Sequence, residues 1–201
     1  MESERLKIFN EKHQYIGEKM RSEVHEKGYW HETFHCWILD GNSLYFQLRS
    51  EDKKDYPGLL DITAAGHLLS EETVRDGVRE MQEEIGIQVP FEQLQPLGVI
   101  ECVAERAGFI DKEFAHTFLL KGIFNEDDFD LEDEEVSGMV RTDIESFRSL
   151  CRGECDEVRV EGFKILGGDK IKIDQSVGIQ SFVPHKAAFY LTVLERIDQC
   201  R

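Results

Sequence analysis

The amino-acid sequence predicts an α/β protein, an α/β/α sandwich on a mixed β-sheet, and three observations carry that expectation. Apolar, aromatic-rich runs that read as strands lie in both halves of the chain. Between them stands one helical stretch, AGHLLSEETVRDGVREMQEEIGI, at residues 65–87. A further helix follows the second set of strands, and the chain closes on an amphipathic one, FVPHKAAFYLTVLERI. The 201 residues contain no internal repeat, low-complexity tract or interdomain linker. One domain over 1–201 is expected, with residues 1–30 an N-terminal extension and 153–201 a C-terminal segment ending in a helix.

Residues 4–20 read as two short strands, RLKIFN and YIGEKM, around a polar turn. Phe34 to Leu39 and Leu44 to Leu48 form a hairpin with Asp40-Gly41-Asn42 as its turn. SEDKKDYPG is loop, and LLDITAA leads as a strand into the glutamate helix, whose exit Pro90 and Pro96 punctuate. Leu97 to Ala104 and Lys112 to Leu120 pair around a turn at Ala107-Gly108, and NEDDFDLEDEE is a solvated acidic loop. Val136 to Thr142 fits a strand, and Asp143 to Arg152 a helix that Asp143 caps. From 153 to 180 glycines and charges obscure any period, so no element is assigned. In the last helix Ala188, Leu191, Leu194 and Ile197 fall near one face.

Within the central stretch Val74, Val78, Met81 and Ile85 make one apolar stripe, while Glu80, Glu83 and Glu84 share another face. Ser70 is placed to cap the start and Gly86 to end the helix. The three carboxylates then crowd the last turn, where the macrodipole disfavours negative charge and like charges repel by roughly 0.2–0.5 kcal/mol per pair. A purely structural helix gains nothing from this. Bound divalent cations reverse the sign of the local field, and carboxylates select hard ions such as Mg²⁺ or Mn²⁺.

The formal charge is −17, from 41 acidic and 24 basic residues. Such a chain does not hold duplex nucleic acid through phosphate neutralisation, so a phosphate-bearing partner must be met by metal or by a few placed Arg and Lys. A small-molecule diphosphate fits that requirement. The charged start MESERLKIFNE has no apolar core, and no run has the length of a membrane span, so no membrane association is expected. Five scattered cysteines argue against a disulfide framework and for a reducing, cytoplasmic setting. The lone pair Cys151 and Cys155 reads as reduced thiols rather than a zinc site.

The spacing of the central stretch resembles the Nudix box, the signature of hydrolases that cleave nucleoside diphosphates linked to another moiety. Arg79-Glu80, Met81, Glu83-Glu84, Gly86 and Ile87 match throughout its second half. The first half is looser: with Ala65 as the opening residue Glu71 is the first glutamate, and with Gly66 it is Glu72. The resemblance implies the α/β/α sandwich fold and a metal-dependent phosphoanhydride hydrolase with Mg²⁺ or Mn²⁺. Dimers are common among such proteins, so a homodimer is a further expectation.

Arg21 through WHETF, the loop RSEDKKDYPG and the segment DITAAGH also resemble the branch that holds the type 1 isopentenyl-diphosphate isomerases. That resemblance implies metal histidines at His25, His31 and His67, diphosphate-binding cations at Arg21, Arg49, Lys53 and Arg79, and an acidic pair at Asp111 and Glu113. The isomerases need a cysteine just before the Gly-His, where this chain has Ala65, and they have usually lost the REMQEE constellation that this chain keeps. Hydrolysis is therefore expected over isomerisation, with a non-catalytic metabolite-binding protein as the remaining alternative.

Within the hydrolase reading Glu80, Glu83 and Glu84 hold the metal, and Arg79 orients a neighbouring glutamate. Arg49, Lys53 and Arg21 steady the substrate's phosphates. Glu113 is the general base, because a carboxylate outside the metal helix must meet the attacking water, and Glu101 is its rival. Hydrogen-bonded, semi-buried histidines and ordinary surface charges are the plainer readings of His25, His31, His67, Arg21, Arg49 and Lys53. The group attached to the diphosphate is not legible.

Overall fold

The structure, a computed structural model, describes residues 4–106 and 108–201, so Ala107 of the turn expected at Ala107-Gly108 and the first three residues of the charged start fall outside the described residues. β1 (Arg5–Phe9) and β2 (Tyr15–Met20) form the expected first hairpin. β2 runs directly into α1 (Arg21–Lys27), a helix the sequence reading left out. It spans only seven residues and buries a single apolar side chain, Val24, so it has no hydrophobic period to read.

β3 (Trp30–Asp40) and β4 (Ser43–Arg49) meet across Gly41-Asn42. The expected strand over LLDITAA is two pieces, β5 (Leu60–Ile62) and β6 (Ala64–His67). Beyond Leu39↔Leu44 and Asp40↔Ser43, β3 and β4 diverge; β6 then pairs with β3, and β5 with β4. Thr63 stands at the switch, its Oγ1 donating to the Tyr45 carbonyl (2.6 Å) and accepting from the Ile38 N–H (3.1 Å), which satisfies backbone groups that the fork leaves unpaired. The split opens a cleft in the sheet.

α2 (Arg79–Ile85) follows a single 3₁₀ turn at Asp76–Val78. Here the structure corrects the sequence reading, which started the helix near Ser70. Residues 70–75 are turns instead: the Glu72 carboxylate accepts from the Leu69 N–H (2.8 Å) and the Asp76 carboxylate from the Thr73 N–H (2.8 Å), local bonds that compete with a helical ladder. Ser70 caps nothing; its hydroxyl donates to Glu71. Glu80 therefore sits in the first turn, on the favourable side of the macrodipole, and only Glu83 and Glu84 lie in the last turn as expected. Gly86 does end the helix, with its N–H and that of Ile87 returning to Gln82 and Met81.

β7 (Gln95–Arg106) and β8 (Phe109–Lys121) pair as expected, and β8 also runs parallel to β3, which makes the sheet mixed. β9 (Val136–Asp143) leads into α3 (Ile144–Cys151), whose first turn Asp143 caps by accepting from the Ser146 N–H (2.9 Å). The unassigned stretch 153–180 is a hairpin, β10 (Val158–Leu166) and β11 (Asp169–Val177), around Gly167-Gly168. Its outer strand lies at the sheet edge and stays largely exposed, so no apolar alternation marks it. In α4 (Ala187–Asp198) the buried face is Phe189, Tyr190, Val193, Leu194 and Ile197; Ala188 is exposed and Leu191 half-buried, a rotation of the expected stripe driven by the larger aromatic rings.

All eleven described strands belong to one sheet. Met81 and Ile85 of α2 pack on one face with Phe34, Ile38 and Phe118. α3 and α4 cover the other, with Phe147, Tyr190 and Val193 against Trp37 and Phe46. Each such fully buried side chain contributes about 1.5–3 kcal/mol, which makes the two layers rigid walls for the cleft. The architecture is the α/β/α sandwich that the sequence predicts. Among the described residues no helix is long and apolar enough to cross a membrane.

Candidate active site

A cavity of about 620 Å³ occupies the split between β3 and β4. α2 contributes Arg79, Glu80, Glu83 and Glu84; β6 contributes Ala65, Gly66 and His67; β8 contributes Asp111 and Glu113. The loop after β4 brings Lys53 and Tyr56, α1 brings Arg21 and His25, and the segment before α4 brings Val183 and His185.

Glu80 and Glu84 are buried, whereas Glu83 is exposed at the cavity mouth. Glu84 Oε2 accepts from the Ala65 N–H (3.0 Å) and from Gln47 Nε2 (3.1 Å). Burial, reinforced by the Glu80 charge, pushes its pKa up to about 8; burial pushes Glu80 up to about 7 against the pull of Arg79. Gly66 belongs to this geometry, since a Cβ there would lie 2.0 Å from Glu80 Oε1. Arg79 ties the cluster together: it donates to Glu72 (2.5 and 3.0 Å), Glu80 (2.6 Å), Glu83 (2.8 Å) and the His67 carbonyl (3.1 Å). Glu72 is thus the first glutamate of the cluster in space, and Glu71 is an exposed side chain beside Ser70.

Glu113 faces the cavity and is buried, while Glu101 is exposed on β7 and lines none of it. Strand alternation separates them, because β7 turns Cys102, the register partner of Glu113, inward and Glu101 outward. Burial and the adjacent Asp111 carboxylate hold Glu113 well above the usual carboxylate range. Burial opposes ionisation of Asp111 too, but its contact with His25 outweighs burial and keeps it low.

His25, His31 and His67 converge, one ligand atom from each lying within 4.8 Å of the others. The Nδ1 atoms of His25 and His31 sit 3.0 and 3.1 Å from the Arg21 and Tyr29 carbonyls, so both donate there and turn Nε2 lone pairs inward. His67 Nε2 stands 3.2 Å from His25 Nε2. Burial lowers His31 to about 4 and holds His67 well below its ordinary value, so these rings are neutral. Asp111 Oδ1 stands 3.4 Å from His31 Nε2 and 3.5 Å from His25 Nε2, in contact with both rings. Three converging ring nitrogens beside a carboxylate oxygen are a donor set able to hold a divalent cation.

The expected phosphate-binding cations line the cavity already engaged. Arg49 bonds Asp61 (3.0 Å) and the Asp55 carbonyl (2.8 and 3.0 Å), Lys53 pairs with Glu135, and Arg21 with Glu4 (2.9 Å). The sequence reading missed the Cys102, His185 and Asp61 chain: Cys102 Sγ lies 3.2 Å from His185 Nδ1, and His185 Nε2 3.3 Å from Asp61 Oδ1. Burial keeps the Cys102 thiol protonated. These three come from distant segments, and no local spacing joins them.

An α/β/α sandwich with an acidic helix at the mouth of a sheet cleft is the class that fold and cavity define. The NUDIX domain family pattern matches residues 30–153. An uncharacterized Nudix hydrolase of Clostridium acetobutylicum is 38% identical over 202 residues, covering 98% of both chains. A prenyl-diphosphate phosphatase of Methanosarcina mazei is 28% identical over 145 residues, 72% of this chain and 75% of the relative. The crystal structure of a MutT protein from Methanosarcina mazei superposes with a TM-score of 0.54 at 17% identity, over 85% of this chain and 94% of that one, and so shares the fold. The chain belongs to the Nudix family and is a hydrolase.

Proposed function

We propose that this hydrolase cleaves the phosphoanhydride bond of an organic diphosphate and works with Mg²⁺ or Mn²⁺. One observation carries the reading: among the described residues ten acidic side chains line the cavity against four Arg and Lys. A diphosphate cannot enter such a field unaccompanied, and buried carboxylates with raised pKa values are ready to trade protons for cations. Glu80, Glu83 and Glu84 would hold the metal, with Glu72 fixed beside them by Arg79. The convergent His25, His31 and His67 with Asp111 offer a second place for one. When bound, the metal neutralises phosphate oxygens and makes the phosphorus open to attack.

The chain's own residues do the remaining work. Arg79 keeps Glu80 and Glu83 in one arrangement. Arg49 and Lys53, held by Asp61 and Glu135, present fixed positive charge to the remote phosphate. Glu113, in its ionised form, accepts the proton of the attacking water, and its raised pKa makes it the stronger base once ionised. The similarity to a prenyl-diphosphate phosphatase of Methanosarcina mazei supports diphosphates beyond nucleotides as substrates. The test is phosphate release from a panel of nucleotide-linked and prenyl diphosphates with Mg²⁺ or Mn²⁺. Turnover should vanish in Glu84→Gln; unchanged turnover in that variant removes the proposal.

A second reading, proton transfer at carbon as in the isomerases that the sequence resembles, draws support from Cys102. Its thiol stands in the cavity across from Glu113, where Ala65 offers no proton. Deuterium uptake into isopentenyl diphosphate in D₂O, followed by NMR, decides it: no uptake removes this reading.

A further inference from the structure

Strand alternation turns Glu32 of β3 to the face of the β3–β8 ladder opposite His31 and the cavity. There Glu32 Oε1 meets two imidazoles, His116 Nε2 from β8 at 2.9 Å and His13 Nε2 from the turn between β1 and β2 at 2.8 Å. One ligand atom from each residue lies within 4.8 Å of the others, and all three side chains are partly exposed. None of the three lines the cavity.

His13 is held with unusual care for a turn residue. Its φ is +56°, one of two positive values at non-glycine residues among those described. Asn10 stabilises this turn, its Oδ1 accepting from the N–H groups of Lys12 and Gln14, both at 3.0 Å. The His13 ring stacks on Phe114 at 4.0 Å, which itself stacks on Trp30 at 4.5 Å, and Phe9 meets it edge-on at 5.0 Å. A left-handed backbone costs about 1 kcal/mol or more, and such strain clusters where a side chain must be aimed. Here the aromatic layers fix the ring with Nε2 directed at Glu32, the preorganisation that a metal ligand needs.

We infer that His13, Glu32 and His116 form a binding site for a divalent transition ion of the zinc type, separate from the acidic cavity. Two imidazoles and one carboxylate suit Zn²⁺, Co²⁺ or Ni²⁺ and are a poor set for Mg²⁺. Three protein ligands leave a fourth position for water, in keeping with the partial exposure. Tetrahedral ligands at about 2.0–2.2 Å from zinc stand about 3.3–3.6 Å apart, so each imidazole would withdraw from Glu32 Oε1 by about 0.4–0.8 Å, and the two Nε2 atoms, now within 4.8 Å of each other, would settle to the same spacing. Occupancy ties the first turn of the chain to the sheet, and β2 continues from that turn into α1, which carries Arg21 and His25 into the cavity.

The full chain, stripped with chelator, is titrated with Zn²⁺ and counted by native mass spectrometry alongside His13→Gln and His116→Gln. Wild type should take up one more equivalent than either variant, and excess Mg²⁺ should not displace it. Crystals of wild type soaked in Zn²⁺ should show an anomalous peak among the three side chains, a reading that does not depend on either variant folding. Equal counts in wild type and both variants, displacement by Mg²⁺, or no peak at that position overturns the inference. The cavity carboxylates are unaltered in these variants, so failure of this site leaves the proposed hydrolysis untouched.

Discussion

Replacing Glu84 by Gln keeps the size of the side chain and locks it in the uncharged form that the metal-free fold prefers. The amide oxygen can still accept from the Ala65 N–H, so the hydrogen bond to β6 survives. Folding raises the Glu84 pKa from 4.5 to about 8. Between those values the folded chain keeps a proton that the unfolded chain has released. The stability of metal-free wild type therefore falls as pH rises through that window and levels off above about 8. A shift of that size corresponds to at most about 5 kcal/mol. Relaxation and coupling to Glu80 reduce it, and about 2 kcal/mol is expected at pH 9, or about 4–8 °C in Tm for a chain this long. Melting curves in EDTA should thus show Glu84→Gln more stable than wild type at pH 9 and nearly equal to it at pH 5. Saturating Mn²⁺ should reverse the order, because only wild type offers both charged carboxylates to the ion. A variant less stable than wild type in EDTA at pH 9 would refute the reasoning, since it would mean that the charged carboxylate already serves the metal-free fold.

Gly66→Ala should lower hydrolysis by about tenfold or more while moving Tm little, because the new Cβ meets Glu80 Oε1 at 2.0 Å and drives that side chain from its place beside Arg79. Steady-state kinetics beside a thermal melt checks it. Glu113→Gln should reduce kcat by about 10²–10⁴-fold, whereas Glu101→Gln, outside the cavity, should leave it unchanged. Asp143→Ala removes the carboxylate that caps α3 and should cost about 1 kcal/mol in a denaturant titration, with activity intact.

The legible parts of this chain are those where local chemistry dictates local form. The hairpin of β3 and β4, the Asp143 cap and the Gly86 stop each follow from a few neighbouring residues. The fixed spacing of Arg79, Glu80, Glu83 and Glu84 marked the acidic helix face. Less legible were α1, too short to carry a period, and the β10–β11 hairpin, whose exposed outer strand lacks alternation. The start of α2 was misread because Val74 and Val78 extend its apolar stripe, although Glu72 and Asp76 bond the backbone of this segment into turns.

By itself, the sequence determined the sandwich fold, the acidic helix and the family, since those rest on periodicity, turn chemistry and a contiguous motif. Tertiary structure alone decided which side chains share the cavity. Parallel pairing of β3 with β8 sets His31 beside Glu113, the fork at Thr63 places Gly66 against Glu80, and the approach to α4 brings His185 to Cys102 and Asp61. It also turned Glu72 rather than Glu71 toward Arg79 and Glu113 rather than Glu101 into the cavity, because the direction a side chain faces comes from packing. Long-range pairing leaves no local signature in a chain, so distances between its segments are settled only when the layers close.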